Sequence, residues 1–322
     1  MRIDPRIIAK APKDALSAAL DSVRIESHFF GLSEFASPWG IAVGRKDLII
    51  FHVQLEGRSW LEVDGMKAPV EVEAGDVLLL PHGKAHRLRA SLRAKTTPIE
   101  RLIETARHGI LQNRDDGRAA DTRLLCGGFT VFEAATNPLL RALPDVLRIP
   151  AGERSEWLES TLGSIAREAS SPSAGSAAVI RRLADVLLVQ CLRHYIEGGP
   201  MWSSGCPKGS WLQGMGDARV ATALQRMHSQ PEAAWTVETL AAESGMSRSG
   251  FADLFVRLVG EPPLGYLMKW RMHMAGKLLR ESKEGLVEIA ARVGYQSEAA
   301  FSRVFRQQMG VAPGKYRRKG VA

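Results

Sequence analysis

The sequence has few cysteines and no long apolar run, and each absence excludes a class of protein. Its three cysteines, Cys126, Cys191 and Cys206, are odd in number and widely spaced, which does not suit a disulfide framework. No stretch approaches the roughly 18–20 consecutive apolar residues of a membrane span. Charged residues among the first 14 interrupt the region where an export signal needs an apolar core. We therefore expect reduced thiols, no membrane partner and a cytoplasmic protein.

What the sequence does contain is typical of a globular protein with a basic C-terminal third. Of its 322 residues, 45% are hydrophobic and 24% are charged, and this length favours two domains. Residues 211–322 hold 16 Lys or Arg against 10 Asp or Glu, and no acidic residue follows Glu298. Such a surface attracts polyanions, nucleic acid above all. The alternative is a solvated basic tail.

Hydrophobic periodicity divides the chain into zones. Residues 25–135 show short apolar runs separated by turn residues, as in an all-β sandwich or barrel. Residues 153–197 show helical periodicity with a Ser- and Pro-rich break at 170–176. A segment rich in Gly, Pro and Ser follows, and the remainder is helical. The predicted boundaries are 1–150 for a β-barrel domain, 151–200 for a helical dimerisation segment, 201–214 for a linker and 215–322 for an all-α domain.

The all-α zone contains an internal repeat with an offset of 49 or 50 residues. Residues 240–247 correspond to residues 289–297, and further identical residues follow both segments at equal spacing. The later matched pairs are Phe251 with Phe301, Phe255 with Phe305, Gly260 with Gly310, Pro263 with Pro313 and Tyr266 with Tyr316. The repeat indicates one supersecondary unit that is used twice.

Each copy has the sequence pattern of a helix-turn-helix unit. In the first copy, Thr236 and Ser247 are predicted helix caps, and Gly245 permits the positive φ of a tight turn. Gly294 and Ser297 are the equivalent residues of the second copy. A helix of about 25 Å over residues 263–281 is predicted between the units, long enough to hold their second helices near the ~34 Å repeat of the major groove.

The outward faces of the two second helices are predicted to contact DNA. The expected base contacts are Arg248, Ser249, Ala252 and Asp253 in the first unit, and Glu298, Ala299, Ser302 and Arg303 beside the cap Ser297 in the second. The expected phosphate contacts are Arg257, Arg306, Lys315, Arg317 and Arg318. Arg303 is the main candidate, because a guanidinium can bind a guanine edge bidentately; the alternatives are a phosphate contact or an ordinary exposed arginine. Ala252 and Asp253 suggest weak or shape-dependent recognition in the first unit.

Residues 217–318 resemble the double helix-turn-helix domain of the AraC-type transcription regulators. The match is most specific at 289–295, Ser297, Phe301, Phe305 and the closing Gly310, Pro313 and Tyr316. The resemblance implies promoter binding as a dimer or as a ligand-controlled monomer. It also implies activation through contact with RNA polymerase.

The segment from Gly75 to His86 resembles the second motif of cupin β-barrels, in which Gly, Pro-x-Gly and His recur at this spacing. The N-terminal zone as a whole is similar to the cupin-type sensor domains of some AraC-type regulators. Cupin enzymes carry a first motif with two His and a Glu, whereas this sequence offers only His52, followed by Gln54 and Glu56. The fold class expected is therefore α+β with two domains, a cupin-like barrel with flanking helices and a pair of helix-turn-helix units joined by a long helix.

Histidines and a cysteine of the barrel are candidate metal or sensor residues. His52, His82, His86 and Cys126 together would favour zinc or another transition metal. The alternatives are hydrogen-bonded histidines with an inert buried cysteine, or Cys126 as an oxidant-sensing thiol. The spacing matches no zinc-finger pattern, so a site requires the fold to bring these side chains together.

The sequence as a whole predicts a DNA-binding transcription regulator that is not an enzyme. A small molecule, metal or oxidant sensed in the barrel would control it. The alternative is a metal-dependent cupin enzyme fused to a DNA-binding domain, against which the incomplete first motif counts. The helices of 153–197 are expected to form a homodimer through Leu183, Leu187 and Ile196; the alternative is packing on their own barrel.

Overall fold

The chain forms two compact units in the computed structural model. The structure describes residues 14–21, 25–104, 106, 110–113, 119–131, 141–153, 155–171, 173–197, 203–204 and 209–319, so Cys206 lies outside the described residues. The β unit comprises Ile25–Ala134 and Leu143–Pro207, and the helical unit comprises Met1–Arg24, Ala135–Ala142 and Lys208–Ala322.

The β unit contains two sheets, whose strand orders are β12-β11-β6-β3-β10-β1-β9 and β5-β4-β7-β2-β8. The strands are β1 (Ile25–Phe35), β2 (Gly40–Val43), β3 (Ile49–Glu56), β4 (Ser59–Val63), β5 (Val70–Val72), β6 (Val77–Leu80), β7 (His86–Arg89), β8 (Thr97–Pro98), β9 (Ile110–Gln112), β10 (Thr122–Val131), β11 (Val146–Ile149) and β12 (Ser203–Ser204). Most neighbouring strands pair antiparallel, whereas β1 with β9 and β2 with β8 pair parallel. This arrangement confirms the predicted cupin-like barrel.

Apolar side chains from both sheets fill the barrel. Phe35 and Trp39 stack with ring centroids 4.8 Å apart, and both belong to one buried cluster with Leu61 and Leu88. Gly83 makes the turn before β7 with φ 52°, and a Cβ there would lie 2.0 Å from the Lys46 carbonyl oxygen. Gly83, the glycine of the Pro-x-Gly part of the cupin-like motif, is therefore at a position that only glycine fits.

The helices of the chain lie in both units. In chain order they are α1 (Ala15–Asp21), α2 (Ile99–Glu104), α3 (Glu156–Ser170), α4 (Ser176–Ile196), α5 (Trp211–Gly214), α6 (Ala218–Ser229), α7 (Val237–Glu243), α8 (Arg248–Val259), α9 (Pro263–Glu281), α10 (Leu286–Arg292), α11 (Glu298–Met309) and α12 (Pro313–Lys319). The Ser- and Pro-rich break predicted at 170–176 separates α3 from α4. Among the residues that the structure describes, no helix has both the length and the apolar composition needed to cross a membrane.

Helix α4 buries one face within the β unit. Leu187 is 1% exposed and Cys191 is fully buried, so both belong to the core. The burial of Leu187 favours the alternative interpretation, in which this residue packs within its own β unit and does not contact a second copy. On the other face of the same helix, Val179 and Val186 are exposed.

The residue ranges of the two compact units differ from the predicted domain boundaries. Helix α1, which the prediction assigned to the barrel domain, packs on α6 of the helical unit through the buried Ala15, Leu16 and Ala19. Helices α3 and α4 belong to the β unit and are not a separate segment. Residues 211–214 of the predicted linker form helix α5 instead. Ser210 caps this helix, and Trp211 is buried within the helical unit.

Candidate nucleic-acid interface and barrel interior

The first helix-turn-helix unit consists of α7, a turn and α8. Thr236 and Thr239 form a capping box, in which the Thr239 N–H donates to Thr236 Oγ1 at 3.1 Å and the Thr236 N–H donates to Thr239 Oγ1 at 2.9 Å. Gly245 has φ 65° in the turn. The Ser247 hydroxyl caps α8 by accepting from the Gly250 N–H at 3.3 Å. The predicted cap residues and turn glycine are confirmed.

The second unit repeats this arrangement with α10 and α11. Gly294 has φ 78°, and Ser297 caps α11 by accepting from the Ala300 N–H at 3.3 Å. Phe301 and Phe305 are fully buried and pack against Ile289 of α10. The paired phenylalanines are therefore core residues, and the opposite face of α11 is presented to solvent.

The predicted DNA contacts lie on or beside the solvent faces of α8, α11 and α12. Their exposed members are Arg248, Ser249, Asp253, Arg257, Ser297, Glu298, Ala299, Arg303, Arg306, Lys315 and Arg318. Ala252 and Ser302 are half-buried. Arg248 forms an ion pair with Glu238 of α7, whereas Arg303 and Arg306 form no ion pair with any described residue. These two guanidinium groups are therefore available to an anionic partner.

Arg317 is placed differently from its neighbours. Its Nε donates to the Leu279 carbonyl oxygen at 3.2 Å, and its terminal nitrogen donates to the Glu284 carbonyl oxygen at 2.6 Å. The side chain is half-buried. It ties α12 to the end of α9, so this guanidinium already has partners inside the unit.

Helix α9 fixes the two helix-turn-helix units relative to each other. It has 19 residues, which span about 28 Å. Arg271, in its middle, donates to the carbonyl oxygens of Pro231 at 2.6 Å and Ala233 at 2.8 Å. The guanidinium carbon of Arg271 also lies 6.0 Å from the centroid of the Tyr295 ring. One side chain thus contacts the loop before α7 and the turn after α10, a role that no sequence pattern indicated.

A second residue that the sequence did not reveal is His228, at the end of α6. Its Nδ1 donates to the Ala15 carbonyl oxygen at 3.0 Å, and its Nε2 accepts from the Tyr266 hydroxyl at 2.6 Å. The imidazole stacks on Trp270 with ring centroids 3.8 Å apart. Burial lowers the pKa of His228 to about 4. The neutral imidazole therefore links α1, α6 and α9.

The barrel interior brings three of the four candidate metal or sensor residues together. Cys126 on β10 lies opposite His52 on β3, and Cys126 Sγ is 3.0 Å from His52 Nδ1. His52 Nε2 is 2.9 Å from Nε2 of His86, which comes from the other sheet. His86 Nδ1 lies 2.9 Å from the Lys84 carbonyl oxygen. The result is a linear chain of contacts across the barrel.

The direction of each hydrogen bond in this chain follows from its last member. A carbonyl oxygen only accepts, so His86 Nδ1 carries the proton and His86 Nε2 accepts from His52 Nε2. His52 Nδ1 then accepts from the Cys126 thiol. Burial lowers the pKa values of both histidines, that of His52 well below its usual value, and the proximity of His86 adds to the shift of His52. Burial also raises the pKa of the Cys126 thiol to about 12. The side chains of Cys126, His52 and His86 are therefore all uncharged.

This geometry does not fit a metal ion held by all of these residues. His52 stands between its two partners and offers a different nitrogen to each, and His82 donates to the Leu143 carbonyl oxygen at 3.1 Å. Gln54 pairs with Ser59 at 2.7 Å. Within the described part of the chain, no three His, Cys, Asp or Glu side chains are grouped so as to hold a metal ion. The protonated, buried Cys126 also lacks the thiolate character of an oxidant sensor.

Comparisons with known proteins match both parts of the chain. A cupin family model matches residues 14–197, and a helix-turn-helix domain model matches residues 240–319. A putative AraC-like transcription regulator from Streptomyces lividans is 33% identical, over 95% of this chain and 98% of its own. The HTH-type transcriptional regulator AlkR from Acinetobacter baylyi is 32% identical, over 95% of this chain and 99% of its own.

Among solved structures, the chain is similar to the DNA-binding domain of AdpA in complex with a target DNA. The identity is 35%, over 32% of this chain and 92% of that chain, with a TM-score of 0.30.

A cupin domain followed by two helix-turn-helix units defines a DNA-binding transcription regulator. The chain belongs to the AraC-type family of these regulators. The curated relatives are named as transcription regulators.

Proposed function

We propose that α8 and α11 are the recognition helices and that they enter two successive major grooves on one face of promoter DNA. The observation that carries this proposal is that each helix has a serine cap, a buried phenylalanine pair and an exposed opposite face. Arg303 is the main base-contacting residue, since it is exposed and unpaired among the described residues. Arg257, Arg306, Lys315 and Arg318 contact phosphates, which sets position without specifying sequence.

The experiment is a comparison of Arg303→Ala with the parent chain on a duplex selected from a random pool. We expect a loss of about 1–3 kcal/mol in specific binding and relaxed preference at one base pair. Arg306→Ala, three residues along the same helix, is the matched control and should weaken all sequences alike. Equal losses on the selected duplex and on random DNA for Arg303→Ala would contradict the assignment.

We propose further that the barrel controls DNA binding in response to a small molecule. Support comes from the neutral chain of Cys126, His52 and His86, which places polar groups inside an apolar barrel without forming a metal-ligand set. In this proposal the protein acts in the cytoplasm as an activator, bound at its promoter and in contact with RNA polymerase. Duplex binding measured with and without added zinc distinguishes a small-molecule effector from a metal ion. If zinc changes the affinity for the duplex and His52→Ala abolishes this change, the effector is a metal and the proposal is contradicted.

We also propose that the chain forms a homodimer through the exposed face of α4 and the start of α3. A groove of about 590 Å³ lies there. Its apolar members are Trp157, Val186 and Val189, of which Trp157 is 78% exposed. A tryptophan this exposed beside valines is typical of an interaction surface. If this patch packs against the same patch of a second copy, the apolar side chains of both copies are removed from water.

A further inference from the structure

Arg248, the first residue of α8, forms an ion pair with the start of α7 in the same helix-turn-helix unit. Its closest contact is between Nε and the Glu238 carboxylate, and the two side chains are 70% and 59% exposed. The terminal nitrogens of Arg248 donate no hydrogen bond to any residue that the structure describes. The ion pair therefore occupies the Nε edge of the guanidinium and leaves its terminal nitrogens available to another acceptor.

The Glu238 carboxylate is held by its own helix. Hydrogen bonds from the Glu238 N–H and the Thr236 side chain, together with the nearby Arg248 guanidinium, lower the pKa of this carboxyl. Thr236 is in turn fixed by the capping box with Thr239. A carboxylate in a fixed position restricts the conformations of the arginine that it contacts, so that less conformational entropy remains to be lost when the arginine binds.

The second helix-turn-helix unit has no such pair at the matching positions. The repeat places Val287 where the first unit has Glu238, and Glu298 where it has Arg248. Val287 is 61% exposed, so no apolar contact replaces the ion pair. Both units nevertheless form the same two helices with the same turn. An ion pair this exposed also adds little stability, so the fold of the unit does not explain the Glu238–Arg248 pair.

The place of the pair in the unit indicates what it binds. The N-terminal residues of a recognition helix contact base edges, while the helix before it crosses the DNA backbone. We propose that Arg248, held by Glu238, recognises a guanine in the DNA segment bound by the first unit, an inference that rests on the proposed role of α8 as a recognition helix. The two terminal nitrogens of Arg248 donate to O6 and N7 of the guanine. Glu238 is a positioning residue, which keeps its contact with Nε.

The same comparison assigns different base preferences to the two units. At the matching position of the second unit, the Glu298 carboxylate only accepts hydrogen bonds and so cannot bind the acceptor edge of guanine. Direct recognition of guanine by the first residue of the helix therefore belongs to the first unit. Pairing with Arg248 also neutralises the charge of Glu238, which would otherwise repel the phosphates beside it.

The experiment uses the full chain and the duplex selected from a random pool, with each base pair of the first protected segment replaced in turn. We expect the parent chain to prefer guanine at one of these pairs by about tenfold or more. Arg248→Lys keeps the charge but removes the planar fork. This variant should lose the guanine preference and still bind random DNA like the parent. Because Arg248 is exposed, the variant should also fold like the parent.

Glu238→Gln tests the positioning role. We expect the guanine preference to fall by about threefold or more, because the guanidinium is no longer held. Binding to random DNA should not weaken, since the variant removes a negative charge near the backbone. A residue that only supported the fold would weaken binding to both kinds of DNA. Glu243→Gln is the matched control, because Glu243 lies at the other end of α7 and pairs with Arg226 of α6 at 2.8 Å; it should keep the guanine preference of the parent.

The proposal is overturned if the parent shows no guanine preference in the first segment, or if Arg248→Lys retains it. It is also overturned if Glu238→Gln strengthens binding to every duplex alike, because Glu238 would then only shield the charge of Arg248. Footprinting of the parent chain tests α8 separately. Protection of two successive major grooves with no effect of either variant on base preference rejects this proposal alone, whereas protection of a single groove rejects the proposed recognition helices as well.

Discussion

Neighbouring arginines of α12 have different surroundings, although the sequence shows them as one basic cluster. Arg317 is half-buried and donates to two backbone carbonyl oxygens, whereas Arg318 is exposed. A basic run predicts attraction to DNA, but it does not reveal which guanidinium group lies over a carbonyl almost 40 residues earlier. The phosphate contact predicted for Arg317 therefore competes with its contacts inside the unit.

This difference predicts opposite effects of two alanine substitutions. Arg317→Ala should lower the free energy of unfolding by about 1–3 kcal/mol, because it removes the donor from two carbonyl oxygens in a partly buried site. Arg318→Ala should leave stability unchanged and reduce the salt dependence of DNA binding by about one counterion. Urea unfolding and DNA titrations at several salt concentrations measure the two quantities. A stable Arg317→Ala variant with a reduced salt slope would show that Arg317 contacts phosphate instead.

His228 predicts how stability depends on pH. Burial lowers its pKa to about 4 from the usual 6.5; the nearby His273 adds to this shift, and the hydrogen bond with Ala15 opposes it. Between pH 6.5 and 4 the unfolded chain binds a proton that the folded chain does not bind. As the pH is lowered from 6.5 to 4, the free energy of unfolding should therefore decrease, and His228 should account for up to about 3 kcal/mol of this loss.

The variant His228→Gln isolates that contribution from the carboxylates, which titrate in the same range. We expect His228→Gln to be less stable than the parent at pH 7 and to lose stability less steeply between pH 6.5 and 4. Urea unfolding at a series of pH values measures both curves. Parallel curves for the parent and the variant would mean that His228 does not carry this dependence.

Local spacing predicted the caps and the turn glycines, because each depends on residues within one helical turn. Thr236, Ser247 and Ser297 cap their helices, and Gly245 and Gly294 adopt the expected positive φ. Contacts such as those of Arg271 and His228 join distant parts of the chain, and no local pattern contains them. For the same reason, the sequence could propose His52, His86 and Cys126 as neighbours but not their order in a linear chain.

At the scale of elements, α4 illustrates what periodicity leaves open. Apolar residues at steps of three and four predicted a helix, and α4 is that helix. They cover too wide an arc to separate a core face from an outer face. Leu187 and Leu192 face the core, while Val179 and Val186 lie outside. Packing on the barrel decides between these faces, and that requires the fold.

The proposed dimer surface can be tested with substitutions on the two faces of α4. Val186→Lys should convert the dimer to a monomer and keep the fold, because it places a charge in an exposed apolar groove. Leu187→Asp should instead destabilise the chain by about 3 kcal/mol or more, since it buries a carboxylate in the core. Sedimentation velocity and circular dichroism distinguish these results. Arg181→Gln, an exposed control on the same helix, should remain dimeric; a dimeric Val186→Lys chain would place the interface elsewhere.

At the scale of the whole molecule, the sequence predicted the fold class but not every boundary. The change from strand to helix periodicity located the barrel and the helical repeat, and both are present. Helix α1 was missed because its neighbours in sequence belong to the barrel zone, while its apolar residues pack on α6. A segment that packs far from its place in the chain cannot be assigned from local composition.

The proposed recognition helices α8 and α11 require a fixed separation, and the Arg271 side chain joins the segments beside them. Its loss would free the loop before α7 and remove the contact with Tyr295, so the two units would no longer share one register on DNA. We expect the parent chain to protect two major-groove segments about 10–10.5 base pairs apart.

Arg271→Leu should still bind through one unit, but protection of the other segment should weaken, with a loss of affinity of about tenfold or more. Lys277→Gln is the matched control, because Lys277 lies on the same helix and pairs with Glu281 at 3.8 Å. Hydroxyl-radical footprinting on the selected duplex measures both segments together. Uniform weakening of the two segments in Arg271→Leu would mean that α9 alone sets the register.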